Sequence, residues 1–358
     1  MSDESIVTTS EPLTERLATE WDELAESSGA APFHFSGWIR IWNDSFSKEP
    51  LWILTARSEG RLVAVAALRR RRGLVSSASN WHTPEYTWLA ETPAALQALW
   101  TEAVASAVRR LELRFVDEAS ALGQVATNAS ERNRRGLTSR TIARSPYVEL
   151  HGGWDAYEQS LRKKFLSELR RRRRKLEAQG ELMFSVEENA AATRFLDEGF
   201  AVEASGWKGD RKSAIASSEQ TQRFYRDIAG WAADRGWLRL GFLRLGDRAI
   251  AFDFCLEAGG IHYLLKTGFD RDYHAFGPGQ LIRQEMLRRS FQIGLASYEF
   301  LGDQAAWKAE WATEHRTLLA LQRFGNNPIG WTDQLAQTHG RKLAKQALAL
   351  VKRGRRDS

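Results

Sequence analysis

An internal repeat constrains this chain more than any other feature. Gly60 and Gly246 stand 186 residues apart, Pro93 and Pro278 stand 185 apart, and so do Phe115 and Phe300. The strings GRLVAVAAL, from Gly60, and GDRAIAFDF, from Gly246, each read as a turn followed by an Ala-rich strand. The same order of elements surrounds both sets of anchors. In the first half, strands are expected over Leu51–Ala56 and Arg61–Leu68, a helix from Pro93 to about Val108, and a strand over Leu111–Val116. In the second half, the strands are Trp237–Leu245, Ala249–Leu256 and Ile261–Thr267, followed by a helix from Pro278 to about Ile293 and a strand over Ser297–Leu301. A repeat of this length implies two copies of one β-β-…-α-β module. The fold class is therefore α/β (α+β), with mixed central sheets flanked by helices.

At 358 residues the chain is long enough for two cores. The expected division is a polar, then helical, segment over 1–30, a degenerate first module over 31–150, a second module over 151–325, and a basic amphipathic helix over 326–358.

The formal charge of +6 hides an uneven distribution. Arg69–Arg72 carries +4, Arg162–Lys175 carries +8 and Arg341–Asp357 carries +6, so the remainder of the chain is −12. Anion steering would come from these patches and not from a generally basic surface. Tyr157, Leu161, Phe165 and Leu169 recur at a spacing of four and predict one continuous helix through the second patch, with Gly180 as its C-cap. Arg170–Arg174 cover all sides of its last turns. They face either water or an anion such as phosphate, tRNA or a lipid headgroup. The third patch is amphipathic and would dock on the protein or lie on an anionic membrane surface.

Several classes are excluded. The single cysteine, Cys255, rules out an intrachain disulfide and a Cys-based zinc site. The seven histidines lack HxH or HExxH spacing, so no metal is expected. The longest aliphatic run, Leu62–Leu68, is far short of the roughly 20 residues of a membrane-spanning helix. The polar N-terminus does not resemble a secretory signal, and a cytoplasmic location is expected, with the inner face of the membrane as a possible peripheral site.

The two copies differ at the helix start. The second reads Phe276-Gly277-Pro278-Gly279-Gln280 and the first reads Glu91-Thr92-Pro93-Ala94-Ala95. Glycines let the backbone approach a ligand, and proline is pre-set for the first helical position. Free N–H groups at the positive end of a helix suit a pyrophosphate. In the first copy, Glu91 would repel phosphate. The second copy alone is thus expected to bind a phosphorylated cofactor.

Asp253 interrupts an apolar strand, and a buried carboxylate needs a partner or a purpose. It is either a general base or the structural partner of an Arg, and Lys266 on the next strand is placed to pair with it. Tyr273 and His274, just before the glycine corner, could protonate a leaving group. Cys255 reads as a buried, inert thiol.

These elements resemble the acyl-CoA acyltransferase fold called GNAT, and the doubled arrangement resembles the FemAB-like tandem proteins. The nearest likeness is to CelD/BcsL-type acetyltransferases of cellulose and exopolysaccharide biosynthesis. It is carried by Glu203–Gly209 (EASGWKG), Ser213–Ile215, His262–Lys266 with Asp270, Phe276–Gly279, Gly302-Asp303 and Trp307-Lys308, over roughly residues 30–325. The resemblance implies direct attack of an amine or hydroxyl on a thioester, so the enzyme must juxtapose the reactants, relieve the nucleophile of a proton and stabilise the carbonyl oxygen. It implies acetyl-CoA or another acyl-CoA as co-substrate, and a small-molecule or glycan acceptor, within a cell-envelope synthesis complex. Phe276, Gly277, Pro278, Gly279, Gln280 and Lys266 are then the cofactor-binding residues. Trp207, Lys208, Gly209 and Lys308 belong to the acceptor site, with Lys208 gripping an anionic group and Lys308 alternatively structural. Asp303 joins Asp253, Tyr273 and His274 as a catalytic candidate. FemAB relatives take aminoacyl-tRNA, which makes a tRNA-dependent transferase the alternative; a non-catalytic accessory protein of a polysaccharide synthase is another.

Overall fold

The computed structural model describes residues 6–132, 137–205, 215 and 218–337. In chain order its strands are β1 (Ile6–Glu11), β2 (Trp52–Ser58), β3 (Arg61–Arg71), β4 (Leu74–Ser77), β5 (Leu89–Ala90), β6 (Arg110–Asp117), β7 (Leu137–Glu149), β8 (Leu182–Glu188), β9 (Leu238–Leu245), β10 (Arg248–Ala258), β11 (Ile261–Phe269), β12 (Ser297–Glu299) and β13 (Glu314–Phe324). They form one mixed sheet, ordered β1-β2-β3-β4-β6-β13-β7-β12-β11-β10-β9-β8, with β5 attached to β3.

The repeat is written into this order. Setting β5 aside, the sequence of pairings is the same from either end. Antiparallel contacts lead to a parallel pair, β4 with β6 in the first half and β11 with β12 in the second. In each half the parallel pair is bridged by a helix, Pro93–Ser106 or Pro278–Gln292. Both helices carry proline in the first turn, where its missing N–H costs nothing. Thr92 caps the first of them by accepting from Ala95 N–H at 3.2 Å.

The closing strands exchange halves. β7, which ends the first half, pairs with β12 of the second. β13, which ends the second half, pairs with β6 of the first, Leu318 facing Asp117 and Phe324 facing Arg110. β7 and β13 then pair with each other and weld the halves into a single sheet.

Two elements differ from the sequence reading. Residues 6–11 are not simply a polar leader, because Ile6–Glu11 adds an edge strand to β2 before the helix Glu15–Ser27 begins. The helix expected through the second basic patch is two helices, Trp154–Ser160 and Lys163–Glu177, since Leu161 adopts extended backbone (ψ 156°). The burial pattern survives the break in part: Tyr157, Leu161 and Leu169 of the expected stripe are buried, Phe165 is only half-buried, and Leu166 and Leu176 are buried beside them. The longer helix is capped at Ala178 and does not reach Gly180.

Apolar side chains pack on both faces of the sheet. One cluster gathers Trp38 and Trp42 with Phe224, Phe242 and Phe254, drawing on both halves. Trp38 and Trp42 are 0% and 1% exposed, so truncating either to alanine would cost about 3–5 kcal/mol.

Candidate active site

A cavity of 720 Å³ opens where the halves meet. Its second-half wall is built by Leu264–Phe269 of β11, by Gly277, Gly279 and Gln280 at the helix start, and by Phe300–Asp303, Trp307 and Lys308. Its first-half wall is built by Trp81–Pro84 and Phe115, with Ala143 of β7 and Leu318 of β13 between the two. The parallel strands β11 and β12 pair only over Ile261–Tyr263. Beyond that point they part, and the cavity occupies the gap.

The glycine corner is shaped by its residue types. Gly277 has φ +60° and caps the helix Pro278–Gln292, a conformation that costs other residues free energy. A Cβ there would also strike the Arg172 guanidinium, which lies directly over it. A Cβ on Gly279 would come within 3.3 Å of the Phe269 ring. Two features that the sequence left separate, the glycine corner and the Arg-rich helix, thus come together at one point. Arg172 also pairs with Glu168 at 2.7 Å, Arg171 reaches the same carboxylate at 2.7 Å, and Arg173 pairs with Glu285. Arg170 and Arg174 remain exposed. The corner therefore combines a helix N-terminus with one overlying cation, which is the chemistry of an anion site.

Gln280 is held rather than free: its Oε1 accepts from Trp311 Nε1–H at 2.6 Å. Phe276 and Pro278 support the corner without lining the cavity. Lys308 is buried, and its ammonium donates to the carbonyls of Leu301 and, at 3.0 Å, Asp303. Leu301 and Gly302 both have positive φ, so Lys308 holds a kink at the cavity wall. Asp303 Oδ1 accepts from Arg144 N–H of β7 at 2.9 Å and ties that kink to a strand of the other half.

The other catalytic candidates lie elsewhere. Asp253 is wholly buried and does not line the cavity. Its partner is Arg283, at 2.7 and 2.8 Å, and not Lys266; across the hairpin Asp253 faces Thr267, while Lys266 faces Phe254. Of the two readings open for Asp253, the geometry matches the structural partner of an Arg, because both carboxylate oxygens are engaged by one guanidinium. Lys266 does line the cavity, with its ammonium 5.3 Å from the Tyr225 ring centre. Tyr273 and His274 sit on the 3-10 turn Arg271–Phe276, outside the cavity lining. His274 is exposed and bonds its own turn through Arg271 O at 3.1 Å; Tyr273 packs against Arg248 at 5.2 Å. Trp207, Lys208 and Gly209 lie outside the described residues, as does the basic stretch 341–357. Among the described residues no cluster of three or more His, Cys, Asp or Glu is arranged to hold a metal.

Three residues at the cavity carried no signal in the sequence. His82 comes from an irregular loop of the first half, and its Nδ1 lies 3.3 Å from Tyr225 Oη. Burial, helped by the nearby Lys266 charge, lowers its pKa to about 4, so the imidazole is neutral at physiological pH. Burial raises the Tyr225 phenol well above its usual range. Trp81 stands at the rim, 72% exposed.

Residues 163–309 match the family model described as an acetyltransferase (GNAT) domain. No curated protein matches the chain in sequence. Among solved structures, FemX is similar with a TM-score of 0.56 at 12% identity, covering 87% of this chain and 96% of that one. The C-terminal domain of a putative lysylphosphatidylglycerol synthetase from Agrobacterium fabrum gives 0.54 at 13% identity, with 89% and 95% covered. A tandem GNAT protein from the clavulanic acid biosynthesis pathway gives 0.50 at 12% identity, with 88% and 98% covered. At these identities the structures share a fold and no more. Residues 163–309 thus form a GNAT-type acetyltransferase domain, within a mixed α/β fold that tandem GNAT proteins share.

Proposed function

We propose that the protein transfers an acyl group, in the first instance acetyl, from acyl-CoA to an amine or hydroxyl of a sugar or cell-envelope polysaccharide precursor. One observation carries the donor assignment: the Gly277–Gly279 helix start opens into the cavity under the Arg172 guanidinium. Bound acyl-CoA would supply its acyl group as a thioester, open to attack by the acceptor. Gly277 and Gly279 put the helix start on the cavity wall where its phosphates would lie, Arg172 offers them a positive charge, and Leu264, Leu265 and Phe269 supply apolar surface beside the reacting end. Cys255 is sealed in β10 and takes no covalent part. The acceptor class rests on the resemblance to CelD/BcsL-type proteins, and we place the activity in the cytoplasm or at the inner face of the membrane.

A second reading, transfer from aminoacyl-tRNA, draws support from the fold similarity to FemX and to the synthetase domain. Exposed Arg170 and Arg174 would then bind the nucleic acid. Melting the protein with acetyl-CoA, with CoA and with bulk tRNA separates the two. A ligand at a hundred times its dissociation constant adds about 2.7 kcal/mol to the native state. The proposal expects both CoA species to raise the midpoint. No shift with either at millimolar concentration overturns it, and a shift with tRNA alone, falling steeply with salt, moves the site to the second reading.

A further inference from the structure

The two walls of the cavity come from different halves of the chain. Lys266–Phe269 of β11 stands on the wall that holds the glycine corner, and Trp81–Pro84 of the first half lines the same space with a different set of side chains.

We propose that Trp81–Pro84 is the acceptor subsite, and that it takes a sugar ring on the face of Trp81 with a polar substituent directed to His82. The inference rests on the acyl-CoA reading for the opposite wall. Four observations carry it. First, Trp81 is a large apolar ring standing 72% exposed at the rim of a cavity, against the usual cost of such exposure. Second, its position is fixed by its neighbours, with the Arg114 guanidinium over the ring 5.5 Å from its centre and the Phe115 ring in T-shaped contact at 5.3 Å. A rigid indole with its remaining surface open is a platform that loses little entropy on binding, and the C–H face of a pyranose matches it. Third, the loop is tied down: His82 N–H donates to Asn80 Oδ1 at 2.8 Å, Thr83 N–H to Asn80 O at 2.9 Å, and Tyr86 N–H to Phe115 O at 2.8 Å. Fourth, His82 is clamped, its ring stacked on Phe46 at 5.0 Å with 4° between planes and its Nδ1 beside Tyr225. A neutral imidazole held this way presents one hydrogen-bonding nitrogen in fixed geometry, next to the reacting end of the donor site.

The probes are D-glucosamine and D-glucose, added to the full chain with acetyl-CoA, with release of CoA thiol as readout. The expected result is saturable, sugar-dependent release. Trp81→Ala should raise KM for the sugar about tenfold or more while KM for acetyl-CoA and the melting midpoint stay unchanged, and Trp81→Phe should recover most of the loss. His82→Phe, which keeps the stack on Phe46, should lower kcat/KM for the sugar about tenfold through the lost hydrogen bond. Equal sugar KM in wild type and Trp81→Ala overturns the inference. So does the absence of any response to either sugar in a protein whose melting point rises with CoA, a result that leaves the donor reading standing. Failure of the CoA shift itself would remove the donor reading instead.

Discussion

Arg283 and Asp253 face each other between the helix Pro278–Gln292 and strand β10, both with no solvent exposure, their charged atoms 2.7 and 2.8 Å apart. The guanidinium also donates to Tyr298 Oη and, at 3.2 Å, to Thr267 Oγ1, so it links the carboxylate to the cavity-lining strand β11. Removing one member of such a pair leaves the other charge buried and alone. Asp253→Ala or Arg283→Ala should each cost about 3–5 kcal/mol in denaturant unfolding, whereas replacing both with apolar residues of similar volume should recover most of that loss. A catalytic base would show the opposite pattern, with stability intact and turnover lost.

Arg172 should matter to the donor and little to the fold. Its side chain is 32% exposed, and its ion pair with Glu168 lies at a solvent-facing helix surface. Arg172→Glu should leave the melting midpoint nearly unchanged, since exposed pairs contribute about 0–1 kcal/mol. It should weaken CoA binding by about tenfold or more by placing a carboxylate over the helix start. Calorimetric titration with CoA at two salt concentrations checks this, and the wild-type affinity should show the steeper salt dependence.

A second cavity, of 230 Å³, backs onto the first across Pro84, Leu301 and Leu318 and crowds Glu85, Asp117 and Glu299 around Arg316. Burial, then the Asp117 charge, raises the Glu85 pKa to about 7. A folded-state pKa above the unfolded one means that the native protein holds a proton the unfolded chain has lost. Glu85 therefore weakens the fold progressively as pH rises from about 4.5 toward 7, by roughly 3 kcal/mol in all. Glu85→Gln should be more stable than wild type at pH 8 and equal to it at pH 4, as urea unfolding at the two pH values would reveal.

Cys255 is completely buried, and burial pushes its thiol pKa up. The native protein should show no reaction with a disulfide thiol reagent over the time in which the unfolded chain reacts at one thiol. A fast native reaction would mean that β10 opens.

The sequence carried the regular parts of the fold and missed the parts made by distant pairing. Turn glycines, helix prolines and strand periodicity are local, and the elements expected around Gly60, Pro93, Gly246 and Pro278 are present within a few residues. The exchange of β7 and β13 is not local, because no pattern in Glu314–Phe324 names β6 as its partner. Leu161 kept its place in the apolar stripe while its backbone left the helix, since periodicity reports burial and not dihedral angles. Asp253 was recognisable as a buried charge, but Arg283 sits 30 residues away in a separate helix, and no local pattern pairs the two. The glycine corner was legible because backbone freedom requires particular residue types. Trp81 and His82 were not, because an irregular loop has no period to read.

The exchanged strands also set the order in which the molecule can be completed. During synthesis, β1 to β6 emerge first, yet the edge of β6 stays open until Glu314–Phe324 has been made, some two hundred residues later. Until then the first half presents an unpaired strand edge, the kind of surface that recruits wrong partners. Neither half owns all of its own sheet, so a gene fragment ending after Glu149, or one beginning there, encodes an unfinished sheet rather than a smaller protein.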